Sequence, residues 1–236
     1  MNNRAVVIVA AGSGTRMGQR DKALLPIGGV PAIVHSIRAA ASTEGVALIV
    51  LVTREDLVAD MAQIASDAGA EQLISVVTGG ESRTGSVTNG VRKAAELGFE
   101  LVAVHDAARP LSTTAMFEAV FDEVERSGAA IVAIPVADTL KRVDDAGVIE
   151  GTVNRSGLWA AQTPQAFRTR ELLDALEQAA DAGIAATDEA SLYESLGRPV
   201  KVVQGSVTNL KLTWPGDHEL ASFLFERQST NEETNR

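Results

Sequence analysis

The chain has 236 residues, no cysteine, and 31 acidic against 21 basic side chains, for a formal net charge of −10. That length suits one large α/β domain with a sizeable core. The acidic balance makes nucleic acid or an anionic membrane a poor partner, so any phosphate site has to be a local basic pocket. Without cysteine there is no disulfide, thiolate metal site or Cys nucleophile, which is compatible with a reducing cytoplasm.

Residues 6–22, VVIVAAGSGTRMGQRDK, pass from an apolar run suited to a buried strand into a loop where side chains nearly vanish, and then reach Arg16 and Lys22. Gly12 and Gly14 let peptide N–H groups approach an anion with no Cβ in the way, and the two cations add charge. The alternative is a plain strand-to-loop turn. A dinucleotide loop would need a third glycine where Met17 stands, and a Walker A loop would need a hydroxyl directly after its lysine. Residues 6–11 are too short an apolar run for a signal-peptide core or a membrane span, so the chain is read as soluble and unprocessed.

Val- and Ile-rich runs then alternate with segments of helical spacing, the pattern of a mostly parallel sheet covered on both faces. Pro31 belongs in the first turn of a helix carrying Ile33, Val34 and Ile37, and residues 46–52 form a second strand. Leu57, Met61, Ile64 and Ala68 mark a helix, residues 73–77 a third strand, and a helix starting near Ser82 turns Val87, Val91 and Ala94 inward. A fourth strand, 101–104, ends on His105-Asp106-Ala107-Ala108-Arg109-Pro110, where open α/β sheets place ligands. Asp106 there serves a ligand, caps a helix or pairs with Arg109. Met116, Phe117, Val120, Phe121 and Val124 make a core-facing helical stripe before a fifth strand at 129–136.

Residues 138–155 have no helical period and turn at 144–147, which predicts a protruding β-hairpin. So polar a hairpin is marginal alone; it packs on a second copy of the chain or serves as a flap. Residues 158–165 return as a strand limited by Thr163-Pro164. Leu172, Leu173, Leu176 and Ala179 mark another helix, and Thr187-Asp188-Glu189 reads as an N-cap with first-turn acids rather than as catalysts. Residues 200–203 are a late strand, Pro215 starts a last helix through Phe225, and 228–236 read as a frayed polar tail. His35, His105 and His218 share no metal-ligand or nucleophile spacing and read as structural or exposed.

Four separated pieces line up with one family: AAGSGTR with Lys22, GGESRTGSV at 79–87, HDAARP at 105–110 and QTPQAF at 162–167, with NLKLT at 209–213 after them. Together they resemble the 2-C-methyl-D-erythritol 4-phosphate cytidylyltransferases, in order, from residue 6 to about 225. The run GTRMGQRDKALLPIGG is also similar to the molybdenum-cofactor guanylyltransferases, which would not carry HDAARP, the hairpin or TPQAF.

The resemblance implies a Rossmann-like nucleotidyltransferase domain over 1–227, with 138–155 as a dimerisation arm and 228–236 as a flexible tail. It implies a cytoplasmic, homodimeric enzyme of the non-mevalonate isoprenoid pathway that joins CTP to methylerythritol phosphate, releases pyrophosphate and uses Mg²⁺. By the same resemblance Arg16 and Lys22 hold the triphosphate and stabilise the transition state, with the N–H groups of Gly12 to Gly14 beside them. Lys211 joins them in catalysis. Ala10, Ala11, Gly80, Glu81, Ser86 and Ala107 contact CTP, and Asp106 meets Mg²⁺ or ribose. Arg109, Thr163 and Lys211, with Thr139 and Arg155 from the hairpin, take the second substrate, Arg155 reaching into the neighbouring subunit. The alternatives are a ribitol-5-phosphate cytidylyltransferase and a non-catalytic nucleotide-binding regulator. A mere binder would have no need to keep Arg16, Lys22, Asp106 and Lys211 together.

Overall fold

In the computed structural model, which describes residues 3–12, 21–70, 73–184 and 186–234, the elements alternate much as the hydrophobic pattern requires. Strand β1 (Arg4–Val9) is followed by a 3₁₀ turn (Lys22–Leu24), a short hairpin of β2 (Pro26–Ile27) and β3 (Val30–Pro31), and α1 (Ala32–Ala41). Then come β4 (Val46–Thr53), α2 (Val58–Asp67), β5 (Ile74–Thr78), α3 (Arg83–Glu96), β6 (Leu101–Asp106), α4 (Thr114–Ser127) and β7 (Ala129–Pro135). An arm of β8 (Lys141–Val143) and β9 (Ile149–Thr152) precedes β10 (Trp159–Arg168), α5 (Thr169–Asp181), α6 (Glu189–Ser195), β11 (Lys201–Gln204) and α7 (Pro215–Thr234).

Seven strands form the main sheet in the order β11-β7-β10-β6-β1-β4-β5. Every neighbouring pair is parallel except those of β10, which runs antiparallel to both β6 and β7. Strand β1 lies inside the sheet, and because successive side chains point to opposite faces its unbroken apolar run serves both. Val6 and Ile8 face a core shared with Ile49, Leu51, Met61, Phe117 and Phe121, while Ala5 and Val7 face one shared with Val87, Val91, Phe167, Leu172 and Tyr193. Both faces of the central strands are therefore dry, and their carboxyl ends are the one place where polar chemistry meets solvent. A third, smaller core of Leu25, Ile27, Leu111, Leu212 and Ala221 joins α7 and the β2–β3 hairpin to that end.

Three expected boundaries move. Thr163-Pro164 does not end its strand, because β10 continues to Arg168 and loses only the ladder between Ala161 and Gln165, where its register on β7 shifts. A proline without an N–H interrupts pairing locally, and the sheet resumes once donors return. Pro31 sits at the N-cap of α1 rather than inside its first turn. Helix α7 passes Phe225 and runs to Thr234. Polarity alone does not oppose a helix there, since residues 228–234 contain neither glycine nor proline.

Candidate active site

The site grows from the end of β6. Parallel pairing puts Asp106 beside Val9, so the loop after β1 and the turn after β6 share one edge. Asp106 is buried, and each of its carboxylate oxygens has a cation: Arg83 Nη2 lies 3.3 Å from Oδ1 and Lys211 Nζ 2.7 Å from Oδ2. The Nε of Arg109 stands 4.0 Å from Oδ2. Burial would push this carboxyl up, but the charges of Arg83, Lys211 and Arg109 outweigh it and hold it well below the usual carboxylate range.

Each cation is delivered by its own local geometry. Ser82 caps α3, its hydroxyl accepting the Gly85 N–H at 3.0 Å, so Arg83 begins the helix at the pocket edge. The segment carrying Lys211 is tied down on both sides. Asn209 donates through Nδ2 to the Thr163 carbonyl at 3.0 Å and accepts Arg109 Nη1 on its own carbonyl at 2.7 Å, while the Leu212 N–H donates to the Ala108 carbonyl at 2.8 Å. Lys22 begins the 3₁₀ turn, which Asp21 caps by accepting the Ala23 N–H at 3.0 Å; Arg54 in turn holds Asp21 Oδ2 at 3.2 Å.

Lys22, Arg83 and Lys211 converge on a cavity of about 460 Å³, whose wall also includes Ala10, Ala11, Gly12, Asp21, Gly80, Glu81, Ser82, Ser86, Asp106 and Ala107. That volume suits a small ligand of nucleotide size. One side of the wall is packed too closely for side chains: a Cβ on Gly80 would lie 2.9 Å from the carbonyl carbon of Gly85. Ser86 accepts the Gly80 N–H at 3.1 Å and donates to the Ser82 carbonyl at 2.9 Å, so its hydroxyl proton is already engaged and a lone pair is what it can offer a ligand.

The structure thus brings together Ala10, Ala11, Gly12, Lys22, Gly80, Glu81, Ser86, Asp106, Ala107 and Lys211 of the residues expected from sequence. Gly14 and Arg16 lie outside the described residues. Arg109 and Thr163 stand behind the wall. Arg109 clasps the Asn209 and Ala161 carbonyls, and Thr163 accepts the Asp106 N–H at 3.1 Å while bonding His105 Nδ1 at 3.0 Å. Thr139 and Arg155 are exposed at the two ends of the arm and do not line the chain's own pocket. His105 is fully buried, with Nε2 facing the Arg109 carbonyl at 3.3 Å; placing the ring proton there leaves Nδ1 to accept from Thr163. Burial lowers its pKa to about 4.

Sequence reasoning missed Arg83, Asp21 and Glu189. Glu189 is 2% exposed and receives both arms of Arg83, at 2.7 Å and 3.2 Å, whereas Asp188 alone does the capping of α6. Arg83 lies inside the GGESRTGSV segment, which was its only signal. Both Asp106 oxygens already face cations, so the carboxylate as placed here would have to give up an ion pair to meet Mg²⁺.

A pocket of converging cations and bare backbone at the carboxyl ends of parallel strands defines a nucleotide-binding α/β protein of the nucleotidyltransferase type. Comparison with known proteins narrows this. The family described as IspD, 2-C-methyl-D-erythritol 4-phosphate cytidylyltransferase, matches residues 4–227, and the chain belongs to it. It is 40% identical over 231 residues to the 2-C-methyl-D-erythritol 4-phosphate cytidylyltransferase of Bacillus licheniformis, covering 98% of this chain and 99% of that one. Among solved structures it is similar to the 4-diphosphocytidyl-2C-methyl-D-erythritol synthase of Anaerococcus prevotii, with a TM-score of 0.83 at 29% identity over 94% of this chain and 96% of that chain. It is also similar to the cytidylyltransferase of Thermus thermophilus, with a TM-score of 0.77 at 31% identity over 94% and 98% of the two chains.

Proposed function

We propose that this chain transfers a cytidylyl group from CTP to 2-C-methyl-D-erythritol 4-phosphate, giving 4-diphosphocytidyl-2-C-methyl-D-erythritol and pyrophosphate in the non-mevalonate isoprenoid pathway. The observation that carries the reading is the meeting of Lys22, Arg83 and Lys211, from three distant segments, around one pocket of nucleotide size. A phosphate oxygen of the acceptor attacks the α-phosphorus in line; the new P–O bond forms as the bond to the β-phosphate oxygen breaks and pyrophosphate leaves with the electron pair. The nucleophile is already anionic and needs no base, so catalysis rests on positioning and on neutralising the repulsion between two anions. Lys22, with Arg16, serves the triphosphate, and Lys211 serves the acceptor phosphate and the reacting centre. The exocyclic amine of cytosine is a donor, matched by backbone carbonyls near Gly80 and Glu81 and by the Ser86 lone pair. Mg²⁺ enters the proposal as a companion of the triphosphate oxygens, not as a ligand of Asp106.

The active form in this proposal is a homodimer joined through the arm. Its strands pair only with each other, and it exposes Val143, Val148, Ile149 and, at the start of β10, Trp159 to solvent. Such apolar surface on a thin hairpin is what a second copy would cover. Thr139 and Arg155 would then reach the partner's acceptor phosphate, Arg155 through paired hydrogen bonds. Among the described residues no helix is long and apolar enough to cross a membrane, and the proposed location is the cytoplasm.

The test is pyrophosphate release by purified protein offered CTP with methylerythritol phosphate, CTP with ribitol 5-phosphate, and UTP with methylerythritol phosphate. Turnover confined to the first mixture is the expected result. Preferential use of ribitol 5-phosphate, or nucleotide binding with no turnover in any mixture, would replace the proposal by one of its alternatives.

A further inference from the structure

Glu189 is a fully buried carboxylate outside the pocket wall, on the first turn of α6. A buried carboxylate is tolerated only when paired and hydrogen-bonded, and its ionic partner among the described residues is Arg83, which meets it with two parallel contacts. The start of α6 is itself anchored to β10. Gln165 donates to Asp188 Oδ2 at 2.9 Å and accepts the Ala190 N–H at 3.2 Å, so Glu189 has little freedom to follow Arg83 elsewhere.

The same Nη2 that binds Glu189 also reaches Asp106 Oδ1, leaving Oδ2 for Lys211. A guanidinium next to a single carboxylate would take both of its oxygens as a fork. Arg83 is prevented from doing so because its fork is already closed on Glu189. We infer that Glu189 is a positioning residue for Lys211: by occupying the fork of Arg83 it keeps Asp106 Oδ2 available to the lysine, whose ammonium is thereby held at the pocket wall. The inference rests on the proposed role of Lys211 toward the acceptor phosphate, and it adds a residue that never touches substrate.

The experiment uses full-length E189Q and R83K proteins, with steady-state kinetics in which each substrate is varied in turn and crystal structures of wild type and E189Q. The expected E189Q result is a loss of about 10-fold to 100-fold in kcat/KM for methylerythritol phosphate. The KM for CTP should stay within about twofold of wild type. In the crystal, Arg83 turns onto both Asp106 oxygens and Lys211 Nζ leaves Oδ2. R83K, whose point charge can serve only one carboxylate well, keeps the idea testable should E189Q fold poorly: because Arg83 itself lines the pocket, its readout is the crystal structure, in which Lys211 Nζ should leave Asp106 Oδ2, and a Lys211 that stays in place would overturn the inference. Equal losses toward both substrates that track the folded fraction by circular dichroism would make Glu189 merely structural and overturn the inference, as would unchanged kinetics. An inactive wild type would overturn the functional reading instead, while the Lys211 position in the two crystal structures would still decide the role of Glu189.

Discussion

Asp106 shows how opposing effects are settled at single residues. Burial favours its neutral form, yet three cations within 4.0 Å keep it ionised, so the carboxylate becomes a fixed counter-charge that gathers Lys211 and Arg83 at the pocket edge. Replacing Lys211 by alanine removes a cation without opening a cavity in the core. Turnover should fall by about 10²- to 10³-fold, as when one preorganised donor to a charged transition state is lost. The thermal midpoint should fall modestly, since Arg83 and Arg109 still face Asp106, and an active Lys211→Ala enzyme would end the role assigned to that side chain. His105 yields a second prediction. Its folded pKa of about 4 lies below the ordinary histidine value of about 6.5. It therefore supplies stability that is fully present above the unfolded value and is lost as pH falls through that value toward 4, because only the unfolded chain takes up the proton. Between pH 7 and pH 5 the loss should be about 2 kcal/mol, read from urea midpoints. Asp106 and the cations Arg109 and Lys211 set the field at this ring. His35, also lowered by burial, adds in the same sense, and Glu189, raised by burial, opposes it near the bottom of the window. A His105→Asn variant isolates the contribution: its stability should be lower at pH 7 and its pH slope shallower. Lys22 and Asp106 could be read from sequence because they sit in short motifs next to strand ends, and Lys211 because the NLKLT motif resembles that of the family. Glu189 could not, since Thr187-Asp188-Glu189 has the local pattern of a cap, and only tertiary packing reveals that its second acid points into the protein against Arg83.

Among the elements, α3 does most to place the site. Its inward face carries Val87, Val91 and Ala94, and at Gly90 the helix comes so close to the sheet that a Cβ would run into the side chains of Val7 and Val52. That contact fixes the height at which the N-terminus of α3 presents Arg83. A Gly90→Val substitution should cost about 1–3 kcal/mol by overpacking. It should also lower activity in the protein that still folds, because the helix must shift away from β1. Denaturant unfolding and turnover per folded molecule measure the two effects separately, and a variant as stable and active as wild type would show that the helix has slack. The helical and strand periods made α3 and the central strands legible, since each is at least six residues long and buried on a regular spacing. Strand β10 was harder. A local rule about proline limited it to residues 158–165, whereas pairing with strands on both sides carries it through to Arg168. Tertiary hydrogen bonding outweighs a local preference there, and sequence offers no view of which strands will flank it.

On the scale of the whole molecule, a chain of net charge −10 builds a cationic pocket by bringing together side chains from residues 22, 83 and 211, the last two anchored by buried carboxylates. A net negative chain disfavours polyanions in general, while a local cluster of cations favours a phosphate that fits it. Among the described residues, Lys211 is the cation of its own chain proposed for the acceptor side of this pocket, since Arg109 is engaged behind the wall. The two remaining residues expected there, Thr139 and Arg155, lie on the exposed arm. If the arm completes the acceptor site of a second copy, deleting residues 139–155 and closing the gap with a short glycine linker should have two linked effects. The protein should run as a monomer by light scattering, and its activity should fall by at least about 10²-fold, as for the loss of groups that position a reacting phosphate. The pocket proposed for CTP, whose described lining comes from the chain's own body and not from the arm, should keep its nucleotide affinity by calorimetry. Arg155→Ala separates assembly from chemistry: it should leave the dimer intact while raising the KM for the sugar phosphate. A fully active monomer would show that each chain works alone and that the apolar residues of the arm serve something other than a shared site.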